Sequence, residues 1–285
     1  MACSLCKGKG YIHRVVDGYD TVTPCSCTRK NKLIESFENA GIPSRYWNQT
    51  LQSESPHSAN PFQIPFKYKR WALADPSDDH REPFVPWDGT PFRKKSTKTW
   101  HSQFQALKKC RNLLQIYLDT FLEGKEHREA MGMLIMGTVG IGKTHLLCAL
   151  LGDLIYAGVT DVYFTEMTDL MKKLMFSYNP HTEISEEMVL DPLVKCSVLV
   201  LDDLGSFASD NTQWIINTLV YIFNKRYNFN KPTLISTNYF DEADSGEMTL
   251  TDCIGNRLRS RLREICPEIT MTGYDYRASG SKNKK

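Results

Sequence analysis

Apolar residues along the chain fall into two kinds of run. Residues 133–136, 162–165, 197–201 and 233–237 form short, nearly continuous apolar stretches with little polar alternation. Such stretches read as strands buried on both faces. Between and around them lie stretches of helical period: residues 104–122, with Leu107, Leu114, Tyr117, Leu118 and Phe121 on one side, the apolar run opening at His145, then 170–176, 214–227 and 254–265. Strands alternating with helices predict an α/β fold whose parallel sheet is covered by helices on both faces.

The N-terminal fifth has a different rhythm. Residues 11–16 and 19–23 flank Asp17-Gly18 and predict a hairpin, since Asp-Gly suits a two-residue turn. Residues 28–40 place Leu33, Ile34 and Phe37 against Arg29, Lys30, Lys32, Glu35 and Glu38, an amphipathic helix ended by Gly41 and Pro43. Its apolar stripe can pack within its own small domain or dock on a partner. Residues 51–100 hold seven of the thirteen prolines, which excludes a long helix or a central strand. Phe62, Phe66, Tyr68, Trp71, Phe84, Trp87 and Phe92 are too many aromatics for a solvated coil, so this connector is expected to pack on a domain surface. The expected division is a small domain at 1–50, a connector at 51–100, a large domain at 101–278 and a flexible tail at 279–285.

Composition narrows the class. With 285 residues, 41% hydrophobic and 24% charged, the chain can bury a sizeable core. A net charge of +2 excludes a global basic field, so any nucleic-acid site has to be a local patch. No leader-like start and no apolar run near membrane-spanning length occur, which points to a cytoplasmic protein with no membrane partner. Four of the nine cysteines, Cys3, Cys6, Cys25 and Cys27, crowd the first 27 residues as two close pairs. A hairpin returning the chain would bring both pairs to one end, the arrangement of a closed, structural Zn²⁺ site. Cys110, Cys148, Cys196, Cys253 and Cys266 are scattered through apolar runs and read as small core residues.

The sharpest chemistry is Gly137-Thr138-Val139-Gly140-Ile141-Gly142-Lys143-Thr144, the phosphate-binding P-loop pattern between a strand and a helix. Its glycines let backbone N–H groups turn toward phosphate oxygens, Lys143 supplies positive charge near the β- and γ-phosphates, and Thr144 offers a hydroxyl to Mg²⁺. ATP and Mg²⁺ are therefore the expected ligands. Residues 198–203 end an apolar strand in Asp202-Asp203, the form of a Walker B motif. Asp202 is the expected Mg²⁺ partner, and Asp203 is placed to orient or deprotonate water. Asn238 follows the buried run 233–237, where an amide can hold water or the γ-phosphate. On the helix at 254–265, Leu258, Leu262 and Ile265 form the buried stripe. Arg257 and Arg261 flank it on one side, and Arg259 and Arg263 on the other. Arginines with no interleaved acid imply an anionic partner; for Arg261 the expected one is a neighbouring subunit's γ-phosphate.

These residues together resemble the AAA+ ATPases of the DnaC/DnaI type, helicase loaders related to the IstB transposition helpers. The likeness rests on the cysteine-rich head, Ala40-Gly-Ile-Pro-Ser-Arg-Tyr, the P-loop, Leu201-Asp-Asp-Leu-Gly205, Ser236-Thr-Asn238, the Arg-x-x-Ser-Arg-Leu box and Gly273-Tyr-Asp-Tyr-Arg277, in family order. It covers most of the chain outside residues 51–100. The resemblance implies an AAA+ ATPase that loads a replicative DnaB-type ring helicase onto single-stranded DNA, with ATP acting as a switch. It also implies Arg261 as an arginine finger in self-association, Arg257 as its companion and Arg277 as a nucleotide-sensing arginine. By the same resemblance DNA meets the segment between the P-loop helix and the Walker B strand, where Phe164, Lys172, Lys173, Phe176 and Tyr178 lie; helix core explains Phe164 and Phe176 more simply. Two rivals stand beside this reading: an IstB-like helper binding duplex DNA and a transposase, and a metal-stabilised adaptor whose P-loop holds nucleotide without turning it over.

Overall fold

Continuous apolar strands need cover on both faces, and the sheet receives it. A computed structural model describes residues 5–6, 11–16, 19–47, 49–51, 97–123, 132–206, 212–242, 246–273 and 275. At the N-terminus β1 (Tyr11–Val16) and β2 (Tyr19–Pro24) pair antiparallel, with Val16 opposite Tyr19 and Tyr11 opposite Pro24. Helix α1 (Ser26–Asn39) follows at once, then a 3-10 turn at Ser44–Tyr46. The larger unit runs α2 (Thr97–Leu122), β3 (Gly132–Gly137), α3 (Lys143–Tyr156), β4 (Val162–Glu166) and α4 (Met167–Ser177). It continues with α5 (Glu186–Lys195), β5 (Val198–Leu204), α6 (Thr212–Asn228), β6 (Thr233–Thr237), α7 (Leu250–Ile265) and β7 (Glu268–Met271).

The five strands of the larger unit lie in the order β4-β5-β6-β3-β7, every neighbour parallel. Side chains alternate across the pleat, and each set has its own helical layer. Met133 and Ile135 join a core with Leu114 of α2 and Leu147 of α3, whereas Leu134 and Met136 join Leu170, Leu193, Leu219 and Leu258 of α4 to α7. The expected α/β sandwich is therefore present, with α5 and β7 as elements that the apolar pattern did not single out. Cys110, Cys148, Cys196, Cys253 and Cys266 are all buried core residues, as expected.

The apolar stripe of α1 turns toward the P-loop helix. Phe37 is fully buried, 5.7 Å from the Trp47 ring and 5.6 Å from the Tyr156 ring. Beyond α1 the backbone is pinned in sequence: Phe164 N–H donates to Ala40 O (2.7 Å), Tyr156 Oη to Trp47 O (2.8 Å), and Leu51 N–H to Asp153 Oδ2 (2.8 Å). Burial pushes the Asp153 carboxyl up to about 7. Gly41 sits at φ +71°, with Phe164 O 2.6 Å from where a Cβ would stand, so only glycine fits between α1 and β4. Phe37, Ala40, Ile42 and Leu51 thus share a core with Ile135 of β3 and Leu147 of α3. Residues 52–96 and 279–285 lie outside the described residues.

Candidate nucleotide site

Strand β3 ends in the P-loop, between the central strand β6 and the edge strand β7. Gly140 and Gly142 adopt φ +74° and +103°, left-handed values that curl the loop before α3 begins at Lys143. Ile141 anchors the loop in the core, while Val139 is exposed at its tip. Lys143 is 6% exposed, and its ammonium donates to Gly137 O (2.7 Å), Thr138 O (3.0 Å) and Asn238 Oδ1 (2.7 Å). The cation is held where a phosphate chain in the loop would meet it.

One strand further on, β5 delivers the acids. Asp202 is buried; Thr144 Oγ1 donates to its Oδ2 (2.8 Å), and Ser236 donates to its Oδ1. A bulge between Leu201 and Leu204 throws Asp203 into the left-handed region at φ +59°, an uncommon conformation for a non-glycine. The bulge re-aims its carboxylate, which accepts from Asn238 Nδ2, while its N–H donates to Ser236 Oγ (3.0 Å). Asn238 therefore bridges the ammonium and the second acid, and the structure brings Lys143, Thr144, Asp202, Asp203 and Asn238 into one polar cluster. Ser236 is the partner that sequence reading left unassigned. Its signal was a hydroxyl at an otherwise apolar position of β6.

The donor set suits a divalent cation. Burial is the main force raising the Asp202 carboxyl above the usual range; the Ser236 and Thr144 hydrogen bonds oppose it. Glu166, opposite Asp202 in the β4–β5 register, is also raised, by burial and then by Asp202 and Asp169. The Asp202 carboxylate and the Thr144 hydroxyl are hard oxygen donors side by side, and they could hold an Mg²⁺ ion.

The remaining site residues divide. Arg257 is exposed and makes no ion pair among the described residues. Arg261 is 37% exposed, paired with Glu264 (2.7 Å) and lying over the Tyr227 ring (5.4 Å). Neither is joined to the Lys143 cluster. Arg259 corrects the expectation of a basic flank: it is 1% exposed, ion-paired to Asp241 and Glu268, and ties the loop after Asn238 to β7. Phe164 is likewise a core residue, but Phe176 and Tyr178 are 64% and 53% exposed, against the simpler core reading of Phe176. The thiols of Cys6, Cys25 and Cys27 all lie within 4.8 Å of one another, with Cys6 Sγ 3.3 Å from Cys27 Sγ. Cys3 and Arg277 lie outside the described residues.

Residues 108–283, more than half of the chain, match the family model of the IstB-like ATP binding proteins. The protein belongs to that family. The IstB-like chain is 24% identical over 253 residues to the ATP-binding protein of insertion sequence IS5376 from Geobacillus stearothermophilus, covering 87% of this chain and 94% of that one. It is 28% identical over 137 residues to YqaM of Bacillus subtilis strain 168, an uncharacterized protein, covering 46% of this chain and 39% of YqaM. Among solved structures it is similar to the DnaC helicase loader (TM-score 0.47, 24% identity, 62% of this chain and 99% of that one). It is also similar to DnaI (TM-score 0.47, 24% identity, 59% and 85%). The family is one of ATP-binding proteins. No helix among the described residues is long and apolar enough to cross a membrane.

Proposed function

We propose that this IstB-like protein is an ATPase that loads a replicative ring helicase onto single-stranded DNA. The observation carrying the loader half is the thiol cluster at the foot of α1, a cysteine head that the transposition helpers are not expected to have. In the ATPase half, Lys143 holds the phosphate chain, Asp203 positions water, and Asn238 links the two, so the water-handling acid answers to the ammonium's contact with phosphate. Mg²⁺ between Thr144 and Asp202 would neutralise charge on the phosphates. Arg261, with Arg257 beside it, reaches the γ-phosphate of a second copy, and ATP thereby drives self-association. Arg277 senses the bound nucleotide. DNA crosses the end of α4, where Lys172 and Lys173 offer charge and Phe176 and Tyr178 offer stacking faces. Cys3, Cys6, Cys25 and Cys27 hold a structural Zn²⁺ that fixes the head. The protein works in the cytoplasm.

Metal analysis of the purified protein is expected to give one zinc per chain, and Cys25→Ser, which removes a thiol at the N-cap of α1, is expected to lose it. Content well below one in the wild type would remove zinc from the account. The loader reading is tested by co-elution with the host's replicative helicase in ATP and Mg²⁺. A complex is expected for the wild type and a loss of ATP-dependent assembly, with nucleotide binding kept, for Arg261→Ala. A second reading is favoured by the insertion-sequence relative, which aligns over nearly the whole chain: a transposition helper. No helicase complex, with duplex DNA and a transposase bound instead, would select it.

A further inference from the structure

The chain leaving β7 does not turn away from the sheet but runs along the phosphate loop. Met271 O accepts from Thr138 N–H (3.3 Å), and Gly273 O accepts from Thr138 Oγ1 (3.1 Å). At Gly137 a Cβ would stand 2.5 Å from Met271 O. At Gly140 it would fall 1.7 Å from Asp275 Oδ1, 2.3 Å from its Cγ and 3.0 Å from its Cα. Met271, Gly273 and Asp275 thus lie as a strap against residues 137–140, with the Asp275 carboxylate on the loop's second glycine. Gly140 is glycine for two reasons, its φ of +74° and the space the carboxylate takes.

A loop curled to surround anionic oxygens already carries an anionic oxygen of its own chain. A polyphosphate entering the loop meets that charge at close range, in a cleft where screening is weaker than in bulk water. We infer that Asp275 is an affinity-determining residue of the nucleotide site: its carboxylate opposes the phosphates, so ATP binding and strap docking work against each other. The inference rests on the reading of this loop as the ATP site. It gives the switch a physical lever in the same subunit, because the nucleotide that displaces Asp275 also loosens the Gly273–Thr138 contact and the chain leaving β7.

The test is an equilibrium titration of the full-length protein with ATP and with ADP, read by a fluorescent nucleotide analogue, for the wild type, Asp275→Asn and Asp275→Ala. Both variants are expected to bind ATP about tenfold more tightly than the wild type. The gain should be larger for ATP than for ADP and should shrink as salt is raised. ATP binding that Asp275→Asn leaves unchanged or weakens overturns the inference, as does a gain confined to Asp275→Ala, which would mark bulk rather than charge. Absence of ATP binding in all three proteins would overturn the nucleotide reading itself, and this inference with it.

Discussion

Lys143→Ala is expected to cut ATP turnover by about 10²- to 10³-fold, the largest catalytic loss of any single replacement in the cluster. Charge accumulates on the phosphoryl oxygens during transfer, and Lys143 is the cation that the P-loop delivers there. Lys143 is 6% exposed and its ammonium is fixed by three acceptors, so little reorganisation separates its resting place from its working one. The loss should be shared between binding and turnover, because the same ammonium also orients Asn238, and Asn238 orients Asp203. Steady-state phosphate release compared between wild type and variant measures it. Equal rates at background level in both proteins would sink the ATPase reading and leave a nucleotide-holding adaptor. A melting curve run alongside separates lost chemistry from lost fold, since the core beneath the loop, Ile141 and Leu147, is untouched by the change.

The layers of the fold were legible because buried parallel strands write themselves as largely apolar runs with helical stretches between them, and β3, β4 and β5 do so most plainly. Strand β7 was not, because Glu268-Ile-Thr-Met271 alternates polar and apolar at the sheet edge and is only four residues long. Helix α5 was masked by Pro192 within it, although Ser185 caps its start by accepting Met188 N–H (3.2 Å) and Glu186 and Glu187 fill its first turn. At the nucleotide site, the P-loop and Asp202-Asp203 were readable because phosphate and metal chemistry demand those residue types in that order. Ser236 was not, since a lone serine in a strand carries no such demand. The arginines of α7 show the limit of helical spacing: Arg259 and Arg263 lie four residues apart on one flank, yet the first is buried against Asp241 and Glu268 and the second is 57% exposed. The partners that decide this come from other elements, 18 and 9 residues away from Arg259.

Arg226→Ala is expected to lower stability by about 3–5 kcal/mol, more than any other replacement of an α6 surface-type residue. By sequence Arg226 is one of two basic residues in the last turn of α6, a placement that ordinarily marks an exposed charge beside a helix C-terminus. It is instead 1% exposed, and its guanidinium faces no carboxylate at hydrogen-bonding distance among the described residues. Its Nε donates to Thr233 Oγ1 (2.9 Å), Nη1 to Leu193 O (2.7 Å) and Cys196 O (2.9 Å), and Nη2 to Pro232 O (2.6 Å). Those acceptors are a late carbonyl of α5, the entry to β5 and the entry to β6; Pro232 O also accepts from Leu199 N–H (3.3 Å). Truncation takes the guanidinium from all of them, and each buried group left unpaired costs about 1–3 kcal/mol. Arg226→Lys should recover little, because a single ammonium cannot reach acceptors spread around a planar fork. Lys225→Ala, next in sequence, should change stability by no more than about 0.5 kcal/mol. Urea unfolding of the three variants measures the ordering; an Arg226→Ala loss below about 1 kcal/mol would mean that water reaches the pocket and replaces the guanidinium. The site itself depends on this pin, since β5 carries Asp202 and Asp203, β6 carries Ser236 and leads to Asn238, and Arg226 fixes the starting point of both strands.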